Sequence, residues 1–350
     1  MVKTILGLVS MKIAIDKSNR GFHKRWKSWL QAKGVDLVEI DIHSDEALSA
    51  VKKTDGLMWH HWQTSTKDLI KAKRLLFALE HWDFPVYPDF NSNWHFDDKI
   101  GQMYLLEALD LPLVPSHHFV SRDEALAWLA KQEYPLIFKL ARGAGSANVQ
   151  MVHSQAQGKR IVNKAFSKGF LVFDGFSVLK ERFSKFRKGN ESLIGLLKGT
   201  YHLLSPPLYS RYLGRSLGEV YFQEFIPNEG FDIRIIVIGD KAFAIKRLTR
   251  DDDFRASGSG KIEYDKSNFE EAWIKLAFQW AKRLNTQIVA FDVVIHQDTG
   301  LPYIVEISYG YAIDAYDACT GYWNSNMDYF PGKFDSCEWM VDDFMKSIEV

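Results

Sequence analysis

The fold of this chain is decided by residues 219–260, EVYFQEFIPNEGFDIRIIVIGDKAFAIKRLTRDDDFRASGSG. A first apolar, β-rich run ends at Pro227, which has no N–H to donate to a neighbouring strand. The runs 233–238 and 241–245, joined by a Gly-Asp-Lys turn, predict two further strands. A loop rich in charge and glycine follows. Taken alone, the stretch also fits a surface β-meander with a solvated loop, because most charged loops are only hydrated.

Two earlier segments fit beside this stretch. Residues 134–152, YPLIFKLARGAGSANVQMV, predict two strands around a glycine-rich loop, and Lys139 lies in the first of them. The sequence Asp97-Asp98-Lys99 heads a predicted helix that runs to residue 109, with Asp97 as its N-cap. The glycine-rich loop offers exposed N–H groups, and N–H groups together with positive charge are what a phosphate requires.

A later segment supplies two carboxylates. Residues 290–307, AFDVVIHQDTGLPYIVEI, predict a hairpin with Asp292 in one strand and Glu306 in the other. Both lie in apolar strands, where an unpaired charge would be costly. Coordination of Mg²⁺, which prefers carboxylate and phosphate oxygens, would offset that cost.

In this order the segments resemble the ATP-grasp superfamily, and most closely the branch of the glutathione synthetases and the ribosomal-protein glutamate ligases. The resemblance covers residues 97 to about 310 and extends weakly to the N-terminal part. It implies an α/β fold, α+β in the ATP-binding lobes, with an N-terminal Rossmann-like parallel-sheet domain. We therefore expect an N-terminal α/β domain at 1–96, a first ATP-grasp lobe at 97–225 and a second lobe with the metal site at 226–350.

Composition is that of an ordinary globular protein. The 350 residues carry a formal net charge of zero, so the whole chain gives no argument for a nucleic-acid partner. Its two cysteines form neither a disulfide framework nor a zinc motif, which fits a cytoplasmic protein. The start of the chain is interpreted as a first strand and not as a signal peptide. No run approaches the ~20 apolar residues of a membrane span.

The N-terminal ninety-odd residues alternate strand and helix patterns, which predicts a parallel sheet. The strand candidates are 4–9 or 12–15, 35–40, 56–59 and 85–87, and the helices include 22–32 and 67–80. The third strand ends in Trp59-His60-His61-Trp62, at the edge where a parallel sheet usually meets its ligand. Packing explains these four side chains equally well. Later in the chain we expect a strand at 111–115 and helices at 122–131, 269–284 and 338–348.

The segment 158–218 is a basic insertion. It contains 12 Lys or Arg against 3 Asp or Glu, with interleaved aromatic residues. A predicted helix at 178–187 places Leu179, Phe183 and Phe186 on one face among Lys180, Arg182, Lys185 and Arg187. One interpretation is a helical insertion with a solvated face. The other is a surface for an anionic partner, either a membrane interface or an acidic polymer.

The resemblance also implies roles for individual residues. Lys99 and Lys139 reach the ATP phosphates from two sides, under the loop that contains Gly143, Gly145 and Ser146. The backbone of 224–226 (Glu224, Phe225 and Ile226) binds the adenine edge, and Asp232 holds the ribose. The acyl phosphate is held by Arg234, Arg247 and Arg255, while Ser257 and Gly258 offer donors to an oxyanion.

The predicted metal site departs from the family pattern at one position. In the family, the residues matching Asp292 and Glu306 bind one or two Mg²⁺, and an asparagine two residues after the glutamate completes the site. Ser308 stands there in this chain, and a serine hydroxyl is a shorter and poorer ligand than an amide carbonyl. Water or Asp314 is the expected replacement if a second metal binds.

These expectations define an ATP-dependent ligase that joins a carboxylate to an amine through an acyl phosphate. Residues 306–323, EISYGYAIDAYDACTGYW, and the aromatic cluster of the first domain also resemble uncharacterised ATP-grasp proteins linked with bacterial surface-polysaccharide synthesis. This resemblance implies a uronic-acid glycan and an amino acid as substrates, which agrees with the stacking of aromatic faces on sugar rings, and the acceptor could be lipid-linked. Two alternatives stay open: a kinase that phosphorylates a hydroxyl, and an ATP-binding regulator without turnover. Membrane contact at the inner face through 158–218 and a homodimer are further options.

Overall fold

A computed structural model of the chain describes residues 11–143, 148–173, 207–250, 253–256 and 258–349. It also describes seven single residues between these ranges, namely Gly175, Leu179, Phe183, Phe186, Ser192, Gly195 and Ser205. The alternative first strand at 4–9, most of the basic insertion and three predicted site residues (Gly145, Ser146 and Ser257) lie outside the described part.

The N-terminal part is a parallel sheet with the strand order β2-β1-β3-β4. The strands are β1 Lys12–Asp16, β2 Asp36–Ile40, β3 Gly56–Met58 and β4 Val86–Tyr87. The helices are α1 His23–Ala32, α2 Ala47–Val51, α3 Thr66–His81 and α4 Phe90–Asn93. Since each helix returns the chain across the sheet before the next strand, the strands are parallel. The predicted Rossmann-like architecture is confirmed.

The middle part is an antiparallel sheet with the order β5-β10-β6-β7. Its strands are β5 Ser116–Phe119, β6 Leu136–Lys139, β7 Gln150–Val152 and β10 Val220–Glu224. Three helices accompany it: α5 Lys99–Ala108, α6 Arg122–Leu129 and α7 Gln155–Ala165. From the region of the insertion, the structure describes β8 Phe170–Leu171, α8 Leu208–Leu213 and β9 Arg215–Ser216, and β8 pairs with β9.

The C-terminal part is built on a larger antiparallel sheet, in the order β15-β14-β11-β12-β16-β17 with β13 beside β12. The strands are β11 Phe231–Ile238, β12 Lys241–Leu248, β13 Ile262–Glu263, β14 Ile288–Ile295, β15 Pro302–Ser308, β16 Gly321–Asn324 and β17 Tyr329–Pro331. The helices α9 Glu271–Leu284 and α10 Ser336–Glu349 accompany it, with short 3₁₀ turns at Lys266–Asn268 and Ile313–Ala315.

Strand β11 shows how this sheet positions polar groups. Ile233 and Ile235 belong to the core under α9, whereas Ile236 and Ile238 belong to the core shared with the N-terminal sheet and α10. Successive side chains of a strand alternate between faces. The polar residues at 232 and 234 therefore share the face of Ile236 and Ile238, near the beginning of the strand, where they line a cleft.

Two local predictions were wrong. The helix α5 begins one residue later than predicted, because Asp98 and not Asp97 is its N-cap and accepts the Gly101 N–H. The strand predicted at 111–115 is instead β5 Ser116–Phe119. Prolines at 112 and 115 explain this shift, since proline cannot donate to a ladder. Only a single bridge, Leu113 to Ile304, forms in the predicted range.

Within the described ranges, none of the helices combines the length and the apolar character needed to cross a bilayer.

Candidate active site

A cleft with about 1400 Å³ of empty space, part of it open to solvent, lies between the middle and C-terminal sheets. Both sheets and the connection from the N-terminal part contribute to its walls. Twelve of the predicted site residues line it: Lys99, Lys139, Gly143, Glu224, Phe225, Ile226, Asp232, Arg234, Arg255, Asp292, Glu306 and Ser308. Residues separated by more than 200 positions therefore meet in one site.

The two predicted metal-binding carboxylates lie opposite each other on neighbouring strands. Asp292 of β14 is the register partner of Glu306 of β15, and the register shifts between Asp292 and Val293. Directly opposed side chains in an antiparallel pair stand on the same face of the sheet, with Cβ atoms about 5 Å apart. Two carboxylates on one wall of a cleft form an arrangement that suits a hard, oxygen-seeking cation.

Two buried lysines face these carboxylates. Lys99 Nζ lies 3.3 Å from Glu306 Oε1. Burial by itself would lower the pKa of Lys99, but the carboxylates of Glu306 and Asp97 outweigh it and the pKa is raised. Burial lowers the pKa of Lys139 to about 8, because the attraction of Glu306 does not offset it and Lys99 repels the charge. The cleft thus contains one firmly charged lysine and one whose charge is easily lost.

Asp292 is not an isolated buried charge, contrary to the argument made from the sequence. Arg247 Nη2 lies 3.1 Å and Arg234 Nε 3.4 Å from Asp292 Oδ1. Burial would raise the pKa of Asp292, but the two guanidinium groups outweigh it and hold that pKa below its ordinary value. The desolvation cost is therefore offset by arginines, so burial by itself does not indicate a metal.

Arg247 is engaged by two acidic neighbours. Its Nε and Nη2 donate to the two carboxylate oxygens of Asp232 at 2.6 and 2.9 Å, and its Nη2 also lies 3.1 Å from Asp292 Oδ1. Arg247 is not among the residues that line the cleft. Its contact with a transferred phosphate therefore stays a prediction. Arg234 does line the cleft, and its Nη2 donates to the Gly310 carbonyl at 3.2 Å.

The predicted adenine segment lines the cleft, and its backbone makes local hydrogen bonds. The Glu224 N–H donates to the Pro115 carbonyl, and the Ile226 carbonyl accepts from Asn228 Nδ2, both at 2.9 Å. Arg255 lines the cleft while pairing with Asp253 at 2.6 Å. Gly258 has a φ of 74°, and it is absent from the residues lining the cleft.

Of the two residues considered as further metal ligands, Asp314 lies outside the cleft lining and Ser308 lies within it. Asp314 pairs with Arg25 at 3.5 Å with a fully exposed side chain, and does not replace the missing asparagine. Ser308 lines the cleft, but its hydroxyl donates to the Gly310 carbonyl at 3.0 Å and accepts the Gly310 N–H at 3.1 Å. The hydroxyl of Ser308 is thus engaged in a tight local turn.

The aromatic and histidine run at the end of β3 serves packing. Trp59, His60 and His61 are buried, and the ring of His60 stacks on Trp62 with centroids 4.9 Å apart. The Tyr309 hydroxyl donates to the His61 carbonyl at 2.7 Å, which joins this run to the C-terminal part. The next residue, Gln63, lines the cleft.

Four further residues line the cleft without having been expected there, namely Gln63, Phe96, Asp97 and Gly310. The sequence predicts Asp97 only as a helix cap. Its position immediately before the Asp98-Lys99 pair was the available signal. No local signal marks Gln63 or Gly310, because their place depends on how distant segments dock.

Comparisons with known proteins identify domains and structures that this chain resembles. The model of the RimK-like ATP-grasp domain matches residues 214–321, and that of the carbamoyl-phosphate synthase L chain, ATP binding domain, matches residues 98–193. No match was found among the curated proteins.

Solved structures resemble the chain over nearly its whole length. A RimK domain protein ATP-grasp from Sphaerobacter thermophilus is 17% identical with a TM-score of 0.55, covering 95% of this chain and 98% of that one. The ATP-grasp ligase PsnB, complexed with minimal precursor, Mg and ADP, is 14% identical with a TM-score of 0.52 and covers 97% and 98%. The D-alanine–D-alanine ligase from Bacillus anthracis complexed with ATP is also 14% identical with a TM-score of 0.52, covering 97% and 99%.

The chain therefore has the ATP-grasp fold. Within it, residues 214–321 are similar to the RimK-like ATP-grasp domain.

Proposed function

We propose that this chain is an ATP-dependent ligase that joins a carboxylate to an amine through an acyl phosphate. One observation carries the proposal: a cleft of the ATP-grasp fold brings Lys99 and Lys139 into the same site as Asp292 and Glu306. Lysine cations suit the phosphates of a nucleoside triphosphate, and opposed carboxylates suit the metal ion that accompanies it.

In this proposal Lys99 and Lys139 bind the phosphates, and the segment 224–226 holds the adenine. Asp232, which lines the cleft, contacts the ribose. Arg247 acts indirectly, because its contacts with Asp232 and Asp292 fix the orientation of both carboxylates. Arg234 and Arg255 line the cleft and are the arginines we assign to the acyl phosphate.

Asp292 and Glu306 are the residues that would hold Mg²⁺, and their opposed positions on one cleft wall fit such an ion. When bound, the ion supplies charge neutralisation for the phosphoryl group. The hydroxyl of Ser308 would have to leave Gly310 to reach an ion. We therefore propose that Asp292 and Glu306 alone among these three ligate the metal.

The reaction has two steps. A substrate carboxylate oxygen attacks the γ-phosphorus of ATP, the bond to the bridging oxygen breaks, and ADP leaves. The amine nitrogen then attacks the acyl carbon, phosphate departs with the former carboxylate oxygen, and the nitrogen loses a proton to give the amide. Because an acyl phosphate hydrolyses in water, the cleft must exclude water between the steps.

Phosphate release from ATP tests the proposal and finds the substrates. The panel should contain uronic acids, amino acids and short peptides, the last because PsnB was solved with a precursor peptide. Hydroxylamine converts an acyl phosphate to a hydroxamate, whereas a kinase product does not react. Hydroxamate formation that needs both ATP and a carboxylate would support the ligase. If ADP is released, a hydroxyl is phosphorylated and no hydroxamate forms, the protein is a kinase and the proposed ligase activity is wrong.

The basic insertion is proposed to attract an anionic acceptor, which includes a glycan or a lipid-linked molecule. Its excess of positive charge must be balanced by acidic residues elsewhere, because the whole chain has no net charge. Changing Lys180, Arg182, Lys185 and Arg187 together to Ser should raise KM for a large anionic acceptor and leave the KM for ATP unchanged. Flotation with anionic and neutral vesicles distinguishes a lipid from a soluble acceptor.

A further inference from the structure

The glycine-rich loop is held at its base by two side chains from the segment before α5. Asp97 Oδ1 accepts the Gly143 N–H at 2.8 Å, and Lys99 Nζ donates to the Gly143 carbonyl at 2.9 Å. The Lys99 N–H also donates to the Ala141 carbonyl at 2.9 Å. Both backbone groups of one glycine are thus bonded to residues that lie more than 40 positions earlier.

The backbone on both sides of this contact is unusual. Asp97 has a φ of 56°, in the left-handed region that aspartate, asparagine and glycine tolerate best. Gly143 has a φ of 116°, which a residue with a side chain would adopt only with strain. The contact therefore depends on the identity of both residues.

The adjacent carboxylate has a separate task. Asp98 Oδ1 accepts the Gly101 N–H at 3.0 Å and so caps α5, and its Oδ2 lies 3.3 Å from Lys73 Nζ. Asp98 is also absent from the residues that line the cleft, whereas Asp97 is among them. Substitution of Asp97 therefore tests the loop contact, and substitution of Asp98 tests the stability of the helix.

Direct binding of phosphate does not explain an acidic side chain at this place, because like charges repel. Burial raises the pKa of Asp97 to about 6, against the attraction of Lys99 and the hydrogen bond from Gly143. The carboxylate of Asp97 would repel a nearby phosphate. Its place in the cleft is explained if Asp97 holds the glycine-rich loop and does not bind the phosphate.

We propose that Asp97 is a positioning residue for the nucleotide phosphates. It fixes the Gly143 amide, and with it the start of the glycine-rich loop, relative to Lys99 and Lys139. This inference rests on the proposed function, because it concerns how the same cleft binds its nucleotide. Asp97 itself touches the loop and not the phosphate.

Two substitutions at Asp97 separate the hydrogen bond from the backbone conformation. Both Asp97→Asn and Asp97→Gly are compatible with a positive φ, but only asparagine keeps an oxygen that can accept the Gly143 N–H. MgADP affinity measured by calorimetry should fall about tenfold in Asp97→Gly and stay within about threefold in Asp97→Asn. Asp98→Ala is the control for helix stability, with a lower Tm and a smaller loss of MgADP affinity than Asp97→Gly.

Hydrogen exchange of the Gly143 amide, measured without nucleotide, gives an independent readout. The amide should exchange slowly in the wild type and in Asp97→Asn, and at least tenfold faster in Asp97→Gly. Unchanged MgADP affinity in folded Asp97→Gly, or a Gly143 amide that already exchanges freely in the wild type, would overturn the inference. A wild type that binds no MgADP but protects this amide would instead contradict the proposed function and leave the Asp97 contact established.

Discussion

His23 and His60 are joined by a hydrogen bond that fixes the tautomer of His23. The His60 N–H donates to His23 Nε2 at 3.1 Å, so the proton of the His23 ring lies on Nδ1, which donates to the Arg20 carbonyl at 3.0 Å. The Phe22 N–H likewise donates to His60 Nδ1 at 3.2 Å. A second proton on either ring would place an N–H against the backbone N–H that the ring nitrogen now accepts, so both rings are neutral. They lie where the N-terminal sheet meets Tyr309 and Tyr311.

Stability should therefore fall in mild acid. Burial lowers the pKa of His23 to about 4, despite the attraction of Asp16, and lowers the pKa of His60 as well. Because the folded pKa lies below the unfolded value of about 6.5, the unfolded state binds more protons below that pH. The free energy of unfolding, measured with urea, should decrease by at least about 2 kcal/mol between pH 6.5 and 4.

His23→Gln should make this decrease smaller, since glutamine can accept the His60 N–H without titrating. His81→Gln, at an exposed position, is the matched control and should leave the profile unchanged. A His23→Gln profile as steep as that of the wild type would show that the loss of stability comes from other groups.

Lys139→Ala should weaken MgATP binding at least tenfold, because a charge-assisted phosphate contact is lost. Burial lowers the pKa of Lys139 to about 8. Above that pH, nucleotide binding requires uptake of a proton, so wild-type affinity should fall by up to tenfold per pH unit between pH 8 and 9. Lys139→Arg keeps its charge and should show a flatter dependence. Calorimetry that finds equal affinities for Lys139→Ala and the wild type would remove Lys139 from the site.

Glu306→Gln should leave the protein folded and abolish turnover. The amide keeps the shape of the side chain but removes the charge that we assign to Mg²⁺ and that lies 3.3 Å from Lys99 Nζ. The readouts are ADP release and circular dichroism, with Glu263→Gln at the partly exposed strand β13 as the control. Near-normal ADP production by the folded variant would contradict the metal assignment.

Ser308→Asn should be tolerated or should raise Mg²⁺ affinity, because it introduces the amide ligand of the family pattern. An asparagine can both donate and accept, as the serine hydroxyl does towards Gly310. Titration with Mn²⁺ in the presence of ADP measures the change. Loss of metal affinity in a folded variant would show that position 308 faces another ligand, such as substrate.

Arg247→Met should destabilise the fold by about 3 kcal/mol, because it leaves Asp232 without its ion-pair partner and Asp292 with Arg234 alone. Arg283→Met is the control, since its ion pair with Asp110 is exposed and should contribute under about 1 kcal/mol. Urea unfolding of both variants checks the difference. Equal stability of Arg247→Met and the wild type would mean that the arginine is not needed to balance the two carboxylates.

Local sequence patterns determined the elements from which the cleft is built. Short apolar runs, with turn residues between them, predicted β11 and β12 and the hairpin that carries Asp292 and Glu306. These patterns involve only residues close together in the sequence, so they can be recognised without knowledge of the tertiary structure. The order of the segments, and not any one of them, indicated the ATP-grasp fold.

Only the tertiary structure decided which charges meet. Arg247 pairs with Asp232 across β11 and β12, and with Asp292 from a strand more than 40 residues later. Asp97 reaches Gly143 because the segment before α5 docks on the end of β6, which helix-capping rules do not reveal. Periodicity specifies the face of an element. The partners across distant elements depend on strand register and docking, because a side chain pairs with whatever the assembled sheets bring within reach.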